Sequence, residues 1–269
     1  MHSVVCIKQV PDTTEVRIDP KTNTLMREGV PSIVNPFDMH AVEAALKLRD
    51  TYGGKVTVIS MGPPQAEEAL KRVITLGVDE AVLLSDRAFA GSDTLATSYI
   101  LSQAINKINE LNAVDFVFCG KQAIDGDTAQ VGPGIATRLN FPLVTYVIEI
   151  DKVDVDRKEI HLKRSVEGGK ISLIVKYPAL LTTVKELNEI RYATMPGMIK
   201  GAKFKARVWD KNFIGAELDY MGLKGSPTAV RKIFSPPARE GGEIIAHGTE
   251  QPDVAAFNLV EKLTQKKLI

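Results

Sequence analysis

The stretch VTVISMGPPQAEEALKRVITLGVDEAVLL, residues 56–84, contains a strand, a helix and a second strand in succession. Residues 56–61 are rich in β-branched side chains, which is typical of a buried strand. From Pro63 onward apolar residues recur at helical spacing, Gly77 is placed to end the helix, and residues 81–84 form the next apolar run. This order predicts two parallel strands that are joined by a crossover helix.

The residues before this stretch repeat the same pattern. Residues 4–10 predict the first strand, and a hairpin is expected around residues 20–23. Asn35 supplies an N-cap and Pro36 an N1 proline for a helix, which the glycines at 53–54 end. A first strand and a first helix therefore precede the quoted stretch.

After the quoted stretch the pattern continues and then changes. A helix that starts near residues 92–93 precedes a strand at residues 114–119. Four strand-like runs follow in close succession: residues 143–150, 160–166, 171–175 and 179–184. The short turns between them predict an antiparallel extension of the sheet. The predicted fold class is therefore α/β, with a mostly parallel sheet that is flanked by helices and extended by antiparallel strands.

The last part of the chain has a different composition. Beyond Lys185 it is basic and is expected to be irregular, and Pro and Gly recur through residues 222–242. An amphipathic helix is predicted over residues 253–267, with little core left for it to pack on. We therefore expect an α/β domain of residues 1–207 and a C-terminal arm of residues 208–269 that docks on another protein.

Composition excludes several classes of function. The 34 basic and 33 acidic residues nearly cancel, so there is no overall charge that would attract nucleic acid or an anionic membrane surface. The two cysteines, Cys6 and Cys119, lie in apolar runs and form no disulfide framework. No apolar stretch has the length of a membrane span. We expect a cytoplasmic protein without nucleic-acid binding or membrane insertion.

The usual catalytic and metal-binding motifs are absent from the sequence. The four histidines are scattered, and no serine lies in a GxSxG motif. Asp125 and Asp127 are more typical of turns than of a metal site, because further oxygen or nitrogen ligands are not close to them in sequence. We therefore predict neither catalytic residues nor a metal site.

A glycine-containing loop follows the strand at residues 114–119. In open parallel sheets ligands bind beyond the carboxyl ends of strands, which here selects the loops at residues 35–38, 61–63 and 120–131. The third, GKQAIDGDTAQV, offers glycines, amides, a Thr hydroxyl and a helix N-terminus. It is either an adenosine- and phosphate-binding loop or an ordinary strand-to-helix turn. A nicotinamide-type GxGxxG fingerprint and a Walker A motif are absent.

Three segments together resemble the electron-transfer flavoprotein β family: residues 5–10 with 35–38, the loop at 120–130, and residues 186–196. The resemblance covers most of the chain and implies a Rossmann-like fold of the adenine nucleotide alpha hydrolase-like type. It also implies an adenine-nucleotide site. The counterparts of the family's binding positions are Cys6, Asn35, Pro36, Phe37, Asp38, Met61, Gly120, Lys121, Gln122, Ala123, Ile124, Asp125, Gly126, Asp127, Thr128, Ala129, Gln130 and Val131.

The resemblance also concerns the identity of the nucleotide. Most members of the family hold AMP in this subunit, whereas an electron-bifurcating branch holds FAD, and residues 85–97 and 142–145 are similar to that branch. FAD is therefore expected, with AMP as the alternative. Asp93, Thr94 and Thr97 would offer hydrogen bonds to the longer ligand, although a plain helix cap explains these residues equally well. The resemblance then implies NADH as the electron donor.

The resemblance implies several protein partners. Electrons would pass to the FAD of an α subunit, on which residues 208–269 dock, and to ferredoxin or flavodoxin. Within a recognition loop at residues 186–204, Arg191, Tyr192 and Met195 would contact an acyl-CoA or hydroxy-acid dehydrogenase, although a solvated basic loop is the commoner interpretation of composition alone. A more distant alternative, a homodimeric adenine-nucleotide-binding stress or signalling module, does not account for the long C-terminal segment.

Overall fold

The computed structural model describes residues 1–12, 31–230, 241–246 and 248–269. The hairpin that is predicted around residues 20–23 lies outside these ranges. The chain divides into two compact units, Met1–Arg231 and Lys232–Ile269.

The strands are β1 (His2–Ile7), β2 (Gln9–Pro11), β3 (Ser32–Val34), β4 (Lys55–Met61), β5 (Glu80–Leu84), β6 (Phe116–Gly120), β7 (Leu143–Asp154), β8 (Glu159–Val166), β9 (Gly169–Lys176), β10 (Ala179–Thr183) and β11 (Arg207–Trp209). The helices are α1 (Pro36–Tyr52), α2 (Glu67–Ile74), α3 (Thr94–Leu111), α4 (Val131–Leu139), α5 (Met195–Lys203) and α6 (Pro252–Gln265).

Within the described residues, nine strands form one sheet in the order β11-β5-β4-β1-β6-β10-β7-β8-β9. Neighbours from β11 to β7 are parallel, whereas β8 is antiparallel to both β7 and β9. A small antiparallel pair, β2 and β3, lies apart from this sheet. The predicted α/β fold, with its mostly parallel sheet and antiparallel extension, is therefore confirmed.

Helices cover both faces of the parallel strands. The pleat of β1 sends Val5 into a core with α1 and α2, and Val4 into a second core with α3 and α4. The helix α4 lies very close to the sheet, because a Cβ atom added at Gly132 would come within 2.9 Å of Thr182 Cγ2. The layers therefore hold the N-termini of α3 and α4 at fixed positions relative to the strand ends.

Two predicted strands differ in the structure. The run at residues 179–184 was expected in the antiparallel extension, but β10 inserts between β6 and β7 and is parallel to both. All its residues are buried, which suits an interior strand better than an extension. The predicted strand at residues 4–10 is divided at Lys8, whose N–H donates to the Asp38 carboxylate instead of to a neighbouring strand.

The region beyond Lys185 is more ordered than its composition indicates. It contains α5 and β11, and β11 pairs in parallel with β5 at the edge of the sheet. Trp209, Ile214 and Met221 are buried in the core that contains α3. The first compact unit therefore continues past residue 207, where the sequence placed the boundary. In the second unit, α6 agrees with the helix predicted over residues 253–267.

Candidate nucleotide-binding site

A cavity of about 350 Å³ lies beyond the carboxyl ends of β1, β4 and β6. Ile7, Met61 and Gly120, which are the last residues of these strands, all line it. The chain order of the sheet reverses between β1 and β6, since β4 lies on one side of β1 and β6 on the other. Open α/β sheets bind ligands at such a switch point.

Asn35 organises the loop that follows β6. Its side chain makes no cap for α1; instead Nδ2 donates to the Gln122 carbonyl at 2.8 Å, and Oδ1 accepts from the Ile124 N–H at 3.2 Å. The side chain is almost completely buried. The predicted N-cap therefore serves a different purpose, because it fixes the shape of the loop at residues 120–131.

Asp38 joins three elements beside the cavity. From the first turn of α1, its Oδ2 accepts from the Lys8 N–H at 2.8 Å, and its Oδ1 accepts from the Gly120 N–H at 3.0 Å. Burial raises the pKa of this carboxyl to about 7, although the hydrogen bonds act in the opposite direction. Asp38 thereby holds the ends of β1 and β6 at a set distance from α1.

Two helix N-termini meet at the cavity. Asp93 caps α3, since its Oδ1 accepts from the N–H groups of Leu95 and Ala96 at 2.9 and 3.0 Å. The Thr94 hydroxyl donates to Oε1 of Gln130, the residue before α4, at 2.8 Å. The N-terminus of α4, by contrast, has no side-chain cap, so its first N–H groups and partial positive charge face an unfilled position. This side of the cavity therefore suits a phosphate group.

The loop at residues 120–131 contains unusual backbone conformations. Asp127 and Ala129 have φ values of 51° and 54°, in the left-handed region that favours glycine. Such a conformation costs roughly 1 kcal/mol or more for a residue such as alanine, and it persists where surrounding contacts enforce it. Contacts of this kind are present, because Gln122 donates to the Asp127 carboxylate.

Lysines supply positive charge around the same cavity. Both Lys8 and Lys121 line it. The Lys8 ammonium lies 2.7 Å from both carboxylate oxygens of Asp125, and the Lys121 ammonium lies 4.8 Å from the centre of the Phe37 ring. Asp125 balances the charge of Lys8, so a bound anion would meet the Lys121 ammonium and the N-terminus of α4.

Comparison with known proteins identifies the family. The family model described as the electron transfer flavoprotein domain matches residues 22–211. The electron transfer flavoprotein subunit beta of Clostridium acetobutylicum is 49% identical over 269 residues, and the match covers all of both chains. The chain belongs to the electron transfer flavoprotein β-subunit family. The resemblance of the quoted segments to this family is thus confirmed.

Two further relatives of this β subunit have names that are more specific. Protein FixA of Azotobacter vinelandii is 50% identical over 268 residues, which cover 98% of this chain and 95% of the relative. The caffeyl-CoA reductase-Etf complex subunit CarD of Acetobacterium woodii is 51% identical over 270 residues, with full coverage of both chains. Membership in a family of β subunits of flavoproteins implies an α-subunit partner.

The cavity of this β subunit gathers most of the residues that the sequence suggested for cofactor binding. Those that line it are Cys6, Asn35, Asp38, Met61, Asp93, Thr94, Thr97, Gly120, Lys121, Gln122, Ala123, Gly126, Asp127, Thr128, Ala129, Gln130 and Val131. The suggested residues outside its lining are Pro36, Phe37, Ile124 and Asp125. Phe37 lines a neighbouring cavity of about 500 Å³, which also contacts Lys121.

Some lining residues were missed at the level of sequence: Ile7, Lys8, Ser92, Leu101, Cys119 and Gly132. Leu101 lies one helical turn beyond Thr97, so the period of α3 could have indicated it. Cys119 is the register partner of Cys6 on the neighbouring strand. Contact with the Cys6 thiol, together with burial, raises the pKa of Cys119 well above its usual value. Cys119 therefore stays a neutral thiol at neutral pH.

The segment before α5 is held against α1. Arg191 lies 2.8 Å from Glu43 through Nε and 3.1 Å through Nη2, and 2.8 Å from Asp50 through Nη1. Glu43 is buried, with only 3% of its side chain exposed. The Arg191 guanidinium therefore fixes this segment, whereas the next side chain, Tyr192, is 93% exposed.

The helix α5 presents apolar side chains at the surface. A Cβ atom added at Gly197 would collide with the carbonyl oxygen of Thr75, so α5 lies directly on the end of α2. Met195, Met198 and Ile199 are exposed beside Tyr192. Exposed methionines and aromatic residues are typical of protein contacts.

Two other kinds of feature are absent from the described ranges. Among these residues, His, Cys, Asp and Glu do not come together in groups of three or more that could hold a metal ion. The described helices include none that is long and apolar enough to cross a membrane.

Proposed function

We propose that this electron transfer flavoprotein β subunit holds FAD in the cavity at the switch point and takes part in electron bifurcation. The observation that carries the proposal is the meeting of the α3 and α4 N-termini, which the Thr94–Gln130 hydrogen bond joins. The α4 N-terminus has no side-chain cap and can receive a phosphate, whereas α3, which Asp93 caps, would offer the hydroxyls of Thr94 and Thr97 to the longer FAD.

The residues of the chain would bind and orient this group. The loop at residues 120–131 would surround the adenosine, and Lys121 would balance phosphate charge. When bound, the FAD would accept hydride from NADH and pass single electrons to the α-subunit FAD and to ferredoxin or flavodoxin. CarD, which is 51% identical and by name belongs to a complex of an Etf with caffeyl-CoA reductase, supports an oxidoreductase of a CoA ester as the partner.

One observation favours the second candidate, a structural AMP in a non-bifurcating electron carrier. The cavity volume of about 350 Å³ is near the lower end of the range for ligand pockets, roughly 300–1,000 Å³. A mononucleotide would fill such a cavity, whereas the flavin half of FAD would extend outside it. The two candidates share the adenosine site and differ in what lies beyond it.

The nucleotide content of the heterodimer distinguishes the two candidates. The chain is co-expressed with its α partner, the complex is purified, and the released FAD and AMP are quantified by chromatography. Two FAD and no AMP per heterodimer would support the proposal, and assays with NADH and a low-potential acceptor would follow. One FAD and one AMP would overturn it in favour of a simple electron carrier.

The double substitution Asp127→Ala with Thr128→Ala is expected to weaken binding of the β nucleotide roughly tenfold or more, a loss of about 1.4 kcal/mol or more. It removes the acceptor of the Gln122 hydrogen bond and a hydroxyl from the cavity wall. Nucleotide content after gel filtration measures the effect, and the α-subunit flavin should remain. Thr51→Ala is the matched control, because the Thr51 hydroxyl lies on an exposed part of α1 and outside the cavity. Full β-nucleotide content in the double variant would contradict the assigned cavity.

The dehydrogenase partner, of the acyl-CoA or hydroxy-acid class, is proposed to dock on Tyr192 and Met195. Both side chains are strongly exposed, whereas Arg191 is engaged with Glu43 and Asp50 and would act by holding the segment. The α subunit is proposed to bind residues 208–269. Support for this comes from α6, in which Val254, Phe257 and Val260 are exposed.

A further inference from the structure

The rim of the cavity is fastened to a segment that lies far along the chain, residues 222–228. Asp93 Oδ2 accepts from both the N–H and the hydroxyl of Thr228, at 3.2 and 2.8 Å. The Asp93 N–H in turn donates to Ser226 Oγ at 2.8 Å, and the Gly222 N–H donates to Ser92 Oγ at 3.0 Å. These contacts span 130 residues or more of sequence.

The two oxygens of the Asp93 carboxylate accept hydrogen bonds from different parts of the chain. One oxygen caps α3 through Leu95 and Ala96, and the other holds Thr228. Burial alone would raise the pKa of Asp93, but the hydrogen bonds from Ala96 and Thr228 outweigh it and lower the pKa. Asp93 is therefore ionised at neutral pH, and a bare carboxylate here would repel a phosphate. The two donors of Thr228 stabilise this charge and fix the position of the carboxylate.

The fit of the segment against the rim is close. A Cβ atom added at Gly91, which has a φ of 76°, would come within 2.6 Å of Leu223 Cδ2. Ser226 and Thr228 do not line the cavity, whereas Ser92, Asp93 and Thr94 do. The segment thus acts on the ligand site only through the residues that it holds.

We propose that Thr228 and Ser226 are positioning residues for the nucleotide, which hold Asp93 and the first turn of α3 in place at the rim of the cavity. The inference rests on the proposed function of the cavity as a nucleotide site. Coupling between two sites is reciprocal. A bound nucleotide therefore stabilises residues 222–230.

The test compares Thr228→Val, which has nearly the same shape but lacks the hydroxyl, with Thr228→Ser, which keeps it. Thr51→Val is the matched control, because the Thr51 hydroxyl also makes a hydrogen bond, to the Lys47 carbonyl, on an exposed part of α1. The purified heterodimer is stripped of β nucleotide, and the Kd values for added FAD and AMP are measured. Hydrogen exchange of residues 222–230 is followed with and without nucleotide.

Thr228→Val is expected to raise the Kd roughly five- to tenfold, less than the full effect of a lost hydrogen bond to a charged group, because Thr228 acts on the nucleotide only through Asp93. Thr228→Ser and Thr51→Val should remain within about twofold of the unchanged protein. Nucleotide should slow hydrogen exchange at residues 222–230 in the unchanged protein, and much less in Thr228→Val.

Equal Kd values for the Val and Ser variants would overturn the inference and leave the proposed function intact. The same holds if nucleotide does not change the hydrogen-exchange rate of residues 222–230. Failure of the unchanged protein to bind FAD or AMP would overturn the proposed function, and the inference with it.

Discussion

Replacement of Asp38 by alanine is expected to lower the free energy of unfolding by about 2–5 kcal/mol, because it leaves one buried and one partly buried N–H group without an acceptor, at about 1–3 kcal/mol each. These are the N–H groups of Lys8 and Gly120, at the ends of β1 and β6. The β nucleotide should be lost as well, because both strand ends form the floor of the cavity. Chemical denaturation of the purified heterodimer at one protein concentration measures the first effect, and nucleotide content measures the second.

The Asp38→Asn variant adds a test of protonation. Burial raises the pKa of Asp38 to about 7 in the folded chain, against about 3.9 when unfolded. The folded chain therefore binds more protons between these values, and the contribution of this proton to stability is complete below about pH 4 and is lost as pH rises through about 7. The stability advantage of the unchanged protein over Asp38→Asn should thus shrink from about pH 5 to about pH 8. An advantage that grows with pH would mean that the N–H donors outweigh burial.

Replacement of Arg191 by alanine is expected to lower the free energy of unfolding by about 2–4 kcal/mol, because it leaves the Glu43 carboxylate buried without its partner. This loss in the free energy of unfolding is toward the lower end of the range for buried ion pairs, because 28% of the Arg191 side chain is exposed. The segment that carries Tyr192 should lose its fixed position, and the KM for the dehydrogenase partner should rise. Denaturation and electron-transfer assays with the heterodimer measure the two effects.

Two further variants make the Arg191 result specific. Adding Glu43→Gln to Arg191→Ala removes the unpaired charge and should restore much of the stability, but not the KM. Asp50→Asn removes only the exposed partner of Arg191 and should change stability by less than about 1 kcal/mol. A double variant no more stable than Arg191→Ala would show that the buried charge is not the cause.

The parallel core could be predicted because each of its strands and helices carries its own local pattern. Two features depended on distant residues and could not be predicted. The first strand is interrupted at Lys8, because the Lys8 N–H donates a hydrogen bond to Asp38, which lies 30 residues away in a helix. The position of β10 depends on both of its neighbours, which a run of apolar residues does not specify.

In the candidate site, too, some features could be predicted from local sequence and others depend on distant residues. The loop at residues 120–131 was selected by its composition, by its place after a strand and by its resemblance to the family. The structure adds how the site is held, through Asn35 to Ile124 and through Thr228 to Asp93, over 89 and 135 residues. Contacts of this length leave no local signal in the sequence. The burial of Trp209 and Met221, which sit among polar residues, was missed for a related reason.

The role of Asn35 has a consequence for the order in which the chain folds. The loop that would surround the nucleotide cannot take its shape until the start of α1 and the end of β6 have met, because Asn35 supplies the bonds to Gln122 and Ile124. Contacts between such distant residues close late in folding, since loop-closure entropy must be overcome first. A nucleotide that binds only the fully formed loop stabilises the folded state and not the transition state of folding. It would slow unfolding and leave the folding rate nearly unchanged, as stopped-flow kinetics with and without nucleotide would show.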